Sequence, residues 1–143
     1  MDAVVCTVTM EHLHSPWIAI GEMGRAVRPG GTGFFVVPFM WELHQEPHDY
    51  FRYSPHAMRH LADLAGFDVS EMISMGGLFR VLHYRFASLL KHAIRHPLLL
   101  ICLIPFLPLI GGYLLISGIV DRLWKLCDHT LGYTVILTKR GEP

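Results

Sequence analysis

Short apolar segments alternate with capped helical segments along the first half of the chain, and this alternation restricts the fold more than any other feature. Residues 3–6 and 33–38 are short apolar runs typical of buried parallel strands. A serine-proline pair opens a helix after each run, at Ser15 and at Ser54. Residues 69–75 then alternate in polarity, as a half-exposed strand does. This order predicts an open α/β sheet with helices packed on it.

The ends of these segments carry their own signals. The turn at residues 28–31 stops the first helix, and Gly66 is placed to cap the second. In residues 69–75, the pattern assigns Val69, Glu71, Ile73 and Met75 to one face of the strand. Gly132–Lys139 forms a last strand, with Tyr133, Val135 and Leu137 on one side. We expect it to lie antiparallel to residues 69–75 in the same sheet.

Residues 97–120 contain no charged side chain and are long enough to cross a bilayer. Prolines and glycines interrupt this stretch, at positions where a simple membrane-spanning helix tolerates them poorly. Three alternatives stay open: a helical hairpin on a membrane surface, a lid buried on the protein, and a true span. A basic flank precedes the stretch and favours anionic headgroups; it consists of Arg80, His83, Arg85, Lys91, His92, Arg95 and His96.

The charge balance excludes one class of partner. Twelve basic and twelve acidic residues give a formal net charge of zero, so we expect no binding to nucleic acid. The three cysteines are far apart and lie in mainly apolar segments. They are typical of reduced thiols in an intracellular protein, which predicts a cytoplasmic location, with the inner face of the membrane as a possible site of attachment.

Five segments in a fixed order carry a family resemblance: residues 2–6, the pair Glu11 and His12, and residues 25–31, 34–38 and 65–67. They resemble the C-terminal half of class I S-adenosylmethionine-dependent methyltransferases. In that family they correspond to the fourth strand, an acidic-His turn, a helix ending in Pro-Gly-Gly, the fifth strand and the end of the next helix. Gly132–Lys139 resembles the family's final antiparallel strand.

The resemblance implies a partial Rossmann-like sheet that lacks the first strands. Its parts would be a methyltransferase core at residues 1–77, a helical and hydrophobic insertion at residues 78–130, and a final strand and tail at residues 131–143. It also implies S-adenosylmethionine as the cofactor. Because no Gly-x-Gly-x-Gly loop occurs here, we expect an N-terminally truncated fragment that is inactive as an isolated chain. The alternative is a non-catalytic, membrane-associated α/β protein derived from a methyltransferase.

Ligands of open α/β sheets bind at the carboxyl ends of the strands, so the loops at residues 7–14 and 39–53 should face one cleft. The resemblance assigns Cys6, Thr7, Glu11 and His12 to the cofactor side. The second loop is rich in groups able to act as an oriented base, and its candidate catalytic residues are His44, Glu46, His48 and Asp49. Its candidate substrate-binding residues are Tyr50, Arg52 and Tyr53, for a small-molecule or lipid-linked acceptor.

Two structural alternatives accompany this hypothesis. Asp49 and Arg52 could pair with each other and stiffen the loop. The histidine pairs His44/His48, His12/His14 and His56/His60 have ligand-like spacing. Scattered loop and surface histidines explain them better, so we expect no metal site.

Overall fold

The computed structural model describes residues 1–124 and 126–141, which divide into two compact units. Met1–Met75 and Leu131–Pro143 form the first, called the sheet unit below. Gly76–Thr130 forms the second, called the helical unit. The sheet unit contains the loops predicted to carry the site, and the helical unit contains the apolar stretch.

The sheet unit is built on four strands, β1 (Ala3–Thr7), β2 (Thr32–Pro38), β3 (Phe67–Ser74) and β4 (Gly132–Lys139). Their spatial order is β1-β2-β4-β3. β1 and β2 are parallel, and β4 runs antiparallel to both β2 and β3. The prediction that the last strand pairs antiparallel with the preceding one is therefore confirmed, and β4 also inserts between β2 and β3.

Two helices pack on one face of this sheet, α1 (Pro16–Ala26) and α2 (Pro55–Leu64). Ile20 of α1 and Met58 of α2 are fully buried in one cluster with Phe35. Both helices begin at the predicted serine-proline pairs. The Ser54 hydroxyl accepts a hydrogen bond from the Ala57 amide at 3.2 Å, whereas the Ser15 side chain makes no capping bond. Gly66 has φ +71°, the left-handed conformation that a helix-ending glycine supplies.

The sequence pattern overestimated the burial of β1. Residues 3–6 predict a buried parallel strand, yet Val5 is 68% exposed while its neighbour Cys6 is 5% exposed. Successive side chains of a strand point to opposite faces, and Cys6 lies on the face that α1 and α2 cover. A continuous apolar run therefore does not distinguish the two faces.

The expected alternation along β3 is also wrong beyond its middle. Val69 pairs with Leu137, but the next paired residue is Glu71, opposite Ile136, so Ser70 is the extra residue of a β-bulge. The bulge reverses the facing of the residues that follow. Met72 packs against the core and Ile73 is 42% exposed, the opposite of the predicted pattern.

The helical unit is a hairpin whose first arm is α3 (Leu78–Ala93). The second arm is α4 (Pro97–Leu103), a 3-10 turn (Ile104–Phe106) and α5 (Leu107–Leu123). α3 packs along α5, where the Tyr113 hydroxyl donates to the Phe79 carbonyl at 2.7 Å. The Asp121 carboxylate accepts from the Gly77 amide at 3.0 Å, so the two ends of the hairpin lie together.

The helical unit corrects one expectation about residues 97–120. Gly111, Gly112 and Gly118 lie inside α5 and do not interrupt it. By length and composition, Pro97–Leu123 is apolar enough to cross a membrane. An 18-residue segment within it has a mean hydropathy of 2.5, yet only 6% of that segment is buried. Residues 97–120 therefore do not fold into a hairpin of their own, as the sequence suggested. They lie in a nearly continuous, mostly exposed helical arm, and the hairpin pairs this arm with α3.

Candidate functional site

The two loops that follow β1 and β2 lie against each other at the carboxyl ends of these strands. The first contains a 3-10 turn, Met10–His12, and the second comprises residues 39–54. The Tyr50 amide donates to the Glu11 carbonyl at 2.9 Å. The two loops therefore lie together, as the parallel order of β1 and β2 predicts.

Three side chains from these loops converge on one buried point. Glu11 is 0% exposed. Its Oε1 lies 3.4 Å from Nε2 of His44 and 3.8 Å from Nε2 of His12. The two imidazole rings meet edge to face, with centroids 4.8 Å apart. Glu11, His12 and His44 are called the acceptor cluster below, where the word refers to hydrogen-bond acceptors and not to the acceptor of a methyl group.

Hydrogen bonds fix the orientation of both histidines in the acceptor cluster. Nδ1 of His12 lies 2.6 Å from the His48 carbonyl, and Nδ1 of His44 lies 3.0 Å from the Glu42 carbonyl. Because a carbonyl oxygen only accepts, each Nδ1 carries the proton. In a neutral ring, Nε2 then carries a lone pair, and in both rings this atom faces Oε1 of Glu11.

The acceptor cluster unites residues to which the sequence assigned separate roles. Glu11 and His12 were placed on the cofactor side, and His44 was a candidate catalytic base. Of the histidine pairs considered from spacing, His12/His14 and His44/His48 each contribute one member to the cluster, since His14 and His48 are exposed and lie outside it. The group that could hold a metal ion combines His12 with His44, 32 positions apart in sequence numbering, and no short-range spacing signal could have found it.

Asp49 and Arg52 brace the second loop. Arg52 donates to both Asp49 oxygens, at 2.5 and 2.7 Å, and Asp49 also accepts from the His44 amide at 2.9 Å. The Arg52 hydrogen bond holds the pKa of the Asp49 carboxyl far below its usual range. Asp49 is only 2% exposed and stays ionised, so its predicted role as a catalytic base does not fit this geometry.

Arg52 has no donor left for a substrate. Beyond its two bonds to Asp49, it donates to the carbonyls of Trp41, Glu42 and Phe51 at 3.3, 2.9 and 2.8 Å. These contacts engage all five N–H groups of a guanidinium. The structural alternative, a pair that stiffens the loop, describes Arg52 better than its predicted role in substrate binding.

Two further predicted site residues belong to the core. The Tyr53 hydroxyl donates to the Met10 carbonyl at 2.8 Å, and the ring is 3% exposed. Burial, together with the nearby Glu11 charge, raises the pKa of Tyr53. Burial likewise raises the pKa of the Cys6 thiol, which packs among core side chains. Tyr53 therefore anchors the loop instead of contacting substrate, and Cys6 could meet a cofactor only through its backbone.

Three predicted residues remain accessible on the second loop. Nδ1 of His48 lies 2.8 Å from the Tyr50 hydroxyl, and both side chains are exposed. The side chain of Glu46 is exposed and makes no hydrogen bond or ion pair with the residues that the structure describes. His48 is thus the candidate base that is both oriented by a neighbour and open to a ligand.

The end of β1 carries a residue with a strained backbone. Val8 has φ +48°, in the left-handed region that a β-branched residue rarely adopts, while its amide donates to the Val36 carbonyl at 2.9 Å. Val8 and its neighbours Thr7 and Thr9 are exposed. Backbone strain of this kind clusters at ligand-binding positions.

Comparisons with known proteins identify the fold. No family model and no curated protein matches the sequence. Solved structures do match. The [4+2]-cyclase SpnF is 16% identical with a TM-score of 0.53, and the match covers 99% of this chain and 50% of that one. The chain has the Rossmann-like fold of class I methyltransferases.

Two other matches agree. Mycolic acid cyclopropane synthase CmaA1, solved with SAH and CTAB, is 14% identical with a TM-score of 0.53, covering 97% of this chain and 55% of that one. A protein of Galdieria sulphuraria named as a sarcosine dimethylglycine methyltransferase is 15% identical with a TM-score of 0.52, covering 99% and 54%. The chain thus spans about half the length of these structures. Their names include a cyclase and a cyclopropane synthase, so the fold alone does not specify the reaction.

Proposed function

We propose that this chain takes part in S-adenosylmethionine-dependent methyl transfer to a small-molecule or lipid-linked acceptor. The observation that carries the proposal is the pairing of the class I methyltransferase fold with two polar loops at the carboxyl ends of β1 and β2. The strained turn at Val8 would meet the cofactor, and the loop at residues 39–54 would meet the acceptor. The glycine-rich loop of the family is absent from these residues, so tight cofactor binding would need further segments.

The chemistry follows from the accessible residues. S-adenosylmethionine supplies an electrophilic methyl group, and the acceptor atom attacks it in line, so positioning provides most of the acceleration. His48 receives the proton where the acceptor is a hydroxyl or a protonated amine. The Tyr50 hydroxyl, 2.8 Å from Nδ1, orients that ring and leaves Nε2 available for the proton.

A labelled-methyl assay on the product of the longest reading frame that contains these residues tests the proposal. We expect transfer of label from S-adenosylmethionine to a small-molecule or lipid extract. His48→Ala should lower kcat by about 10²-fold, the size of a lost general base, with little change in cofactor affinity. His60→Ala is the matched control, because His60 is an exposed histidine on α2. A full-frame protein that fails to bind S-adenosylmethionine by calorimetry would refute methyl transfer.

The helical unit supports a second part of this proposal, attachment to an anionic membrane surface from the cytoplasmic side. Its second arm exposes a large apolar surface, including Leu98, Ile101, Leu109, Leu115, Ile119 and Leu123, each at least 62% exposed. Exposed apolar patches of this kind mark interaction surfaces. The lid alternative instead requires this surface to be covered, and it predicts a chain that does not bind vesicles.

The packing of α3 argues against a true span. α3 lies along α5 and exposes Arg80, Arg85 and Lys91 over its length. A single crossing by the apolar arm would carry these cations into the hydrocarbon region, at a cost of about 2.5–3.5 kcal/mol each at the bilayer centre. A hairpin lying in the interface avoids this cost and places the cations near the headgroups.

Vesicle flotation tests the attachment. We expect the chain to bind vesicles of mixed phosphatidylcholine and phosphatidylglycerol, less at high salt, and to bind pure phosphatidylcholine weakly. Leu115→Glu should reduce binding, whereas Leu64→Glu should not. Leu64 is the matched control because it is 61% exposed but lies on α2 of the sheet unit. Equal loss in both variants, or no binding by the wild-type chain, would contradict the attachment.

A further inference from the structure

We propose that the acceptor cluster binds a divalent transition-metal ion through Oε1 of Glu11 and Nε2 of His12 and His44. This inference is independent of methyl transfer. It rests on one buried carboxylate and two partly buried imidazoles, whose facing atoms have no hydrogen-bond partner among the described residues.

Four side-chain atoms of the acceptor cluster are unsatisfied within the part of the chain that the structure describes. Both Glu11 oxygens and both Nε2 atoms are buried and have no hydrogen-bond partner among the described residues. Each Nδ1 donates to a backbone carbonyl, so each neutral ring presents a lone pair to the carboxylate. Polar atoms that are buried without a hydrogen-bond partner are unfavourable, and a cation at the centre of the cluster would supply one partner for all three residues.

The distances suit a metal. Zinc lies about 2.0–2.1 Å from histidine nitrogen and about 2.0–2.2 Å from carboxylate oxygen, which puts tetrahedral ligands roughly 3.3–3.5 Å apart. Glu11 Oε1 is already 3.4 Å from Nε2 of His44 and 3.8 Å from Nε2 of His12. All three ligand atoms lie within 4.8 Å of one another, so small side-chain rotations complete the geometry.

The surroundings resemble those of metal-binding histidines. Such histidines almost always donate the second ring N–H to a carbonyl or a carboxylate, which fixes the tautomer. His12 does so to the His48 carbonyl, and His44 does so to the Glu42 carbonyl, with Oδ2 of Asp49 3.5 Å away. The loop braced by Asp49 and Arg52 therefore presets the direction of Nε2 in His44.

The ligand set selects the class of ion. Two imidazoles and one carboxylate suit Zn²⁺, Fe²⁺ or Mn²⁺, whereas Mg²⁺ and Ca²⁺ prefer oxygen ligands only. One carboxylate leaves a divalent ion with a net positive charge. Three protein ligands leave at least one coordination position, which would take water or an oxygen atom of a ligand.

The test is metal binding by the 143-residue chain, with Zn²⁺ and Co²⁺ as probes. Equilibrium dialysis should give one tightly held Zn²⁺ per chain for the wild type. His44→Gln and His12→Gln should each weaken it by 10-fold or more, since each removes one of three ligands. His60→Ala should have no effect, and it excludes the exposed pair His56 and His60 as the site.

A second measurement does not depend on the variants being folded. Co²⁺ bound by nitrogen and oxygen gives visible ligand-field bands, whereas a cysteine ligand adds an intense sulfur charge-transfer band in the near ultraviolet. We expect the ligand-field bands of the wild-type chain without the sulfur band. Absence of one-to-one binding would overturn the proposal. Binding that is lost in His60→Ala, or a sulfur band, would overturn it as well.

Discussion

Arg52→Ala should lower the free energy of unfolding by about 3 kcal/mol, because it leaves the Asp49 carboxylate buried without its counter-ion. Breaking a buried ion pair from one side costs about 3–5 kcal/mol. Asp49 is 2% exposed, but the Arg52 side chain is 23% exposed, so water can enter part of the vacated space and the lower end applies. Three backbone carbonyls also lose a hydrogen bond from Arg52 in the same variant, although the Glu42 carbonyl keeps the one from Nδ1 of His44.

Urea denaturation followed by circular dichroism measures this loss, with the thermal midpoint as a second readout. For a chain of this size about 3 kcal/mol corresponds to a decrease in Tm of roughly 6–12 °C. Arg52→Lys should show an intermediate loss, since an ammonium keeps the charge but not the fork of donors.

The matched control is Arg25→Ala. Arg25 also pairs with an acidic residue three positions away, Glu22, but both side chains are more than half exposed. Exposed pairs contribute little, so this variant should melt with the wild type. An equal decrease in both variants, or an unchanged Arg52→Ala, would refute the argument that burial makes the Asp49–Arg52 pair essential.

Three further predictions concern packing, capping and thiol exposure. Gly24→Ala should destabilise the chain by about 1–3 kcal/mol, because the new methyl group would overlap the Ala65 carbonyl. At Gly21 no atom lies within 4 Å of the added methyl position, so Gly21→Ala should stabilise α1 by about 0.5–1 kcal/mol. Urea denaturation compares the two variants, and equal effects would contradict the close approach of α1 to Ala65. Asp121→Ala should lower the free energy of unfolding by about 0.5–2 kcal/mol, because it removes the acceptor of the Gly77 and Arg80 amides at the start of α3. Asp128→Ala is the control, since Asp128 is exposed. Equal melting temperatures for the two variants would count against this cap. Ellman's reagent at mildly alkaline pH should modify the exposed Cys102 and Cys127 quickly and Cys6 slowly. Burial raises the pKa of the Cys6 thiol and blocks access of the reagent. Mass spectrometry resolves the three rates, and equal rates would show that β1 opens readily.

Local signals predicted the sheet unit well where one segment determines its own structure. The helix starts at Ser15 and Ser54 and the positive φ of Gly66 follow from the conformations that these residue types favour. The pairing of Gly132–Lys139 with β3 came from a resemblance, because strand order depends on contacts between residues far apart in sequence.

The wrong predictions share a physical cause. The pattern of polar and apolar residues along a segment does not show which residues will lie next to that segment in the folded chain. The bulge at Ser70 inserts one residue into β3 and reverses its faces, and no composition signal marks it. Arg52 resembled a substrate ligand because it is charged and lies in a loop. Its five donors are used inside that loop by Asp49 and by carbonyls, and a sequence does not identify carbonyl acceptors.

The Asp49–Arg52 ion pair, called the brace below, shares Asp49 as a common contact with His44 of the acceptor cluster. The same Asp49 carboxylate that binds Arg52 accepts from the His44 amide at 2.9 Å and lies 3.5 Å from Nδ1 of that ring. Arg52→Ala should therefore weaken Zn²⁺ binding at the cluster, although Arg52 is not a ligand. Losses of about 10–100-fold are typical when a group that orients a ligand is removed.

Dialysis in the absence of denaturant, at a temperature where Arg52→Ala is still folded, isolates this effect from global unfolding. Arg25→Ala again serves as the control, because its ion pair with Glu22 is on the surface of α1. Wild-type affinity in Arg52→Ala, together with the expected loss of stability, would mean that His44 is held by the Glu42 carbonyl alone. In that case the brace would stabilise the loop without positioning the metal ligand, and the two features would be energetically separate.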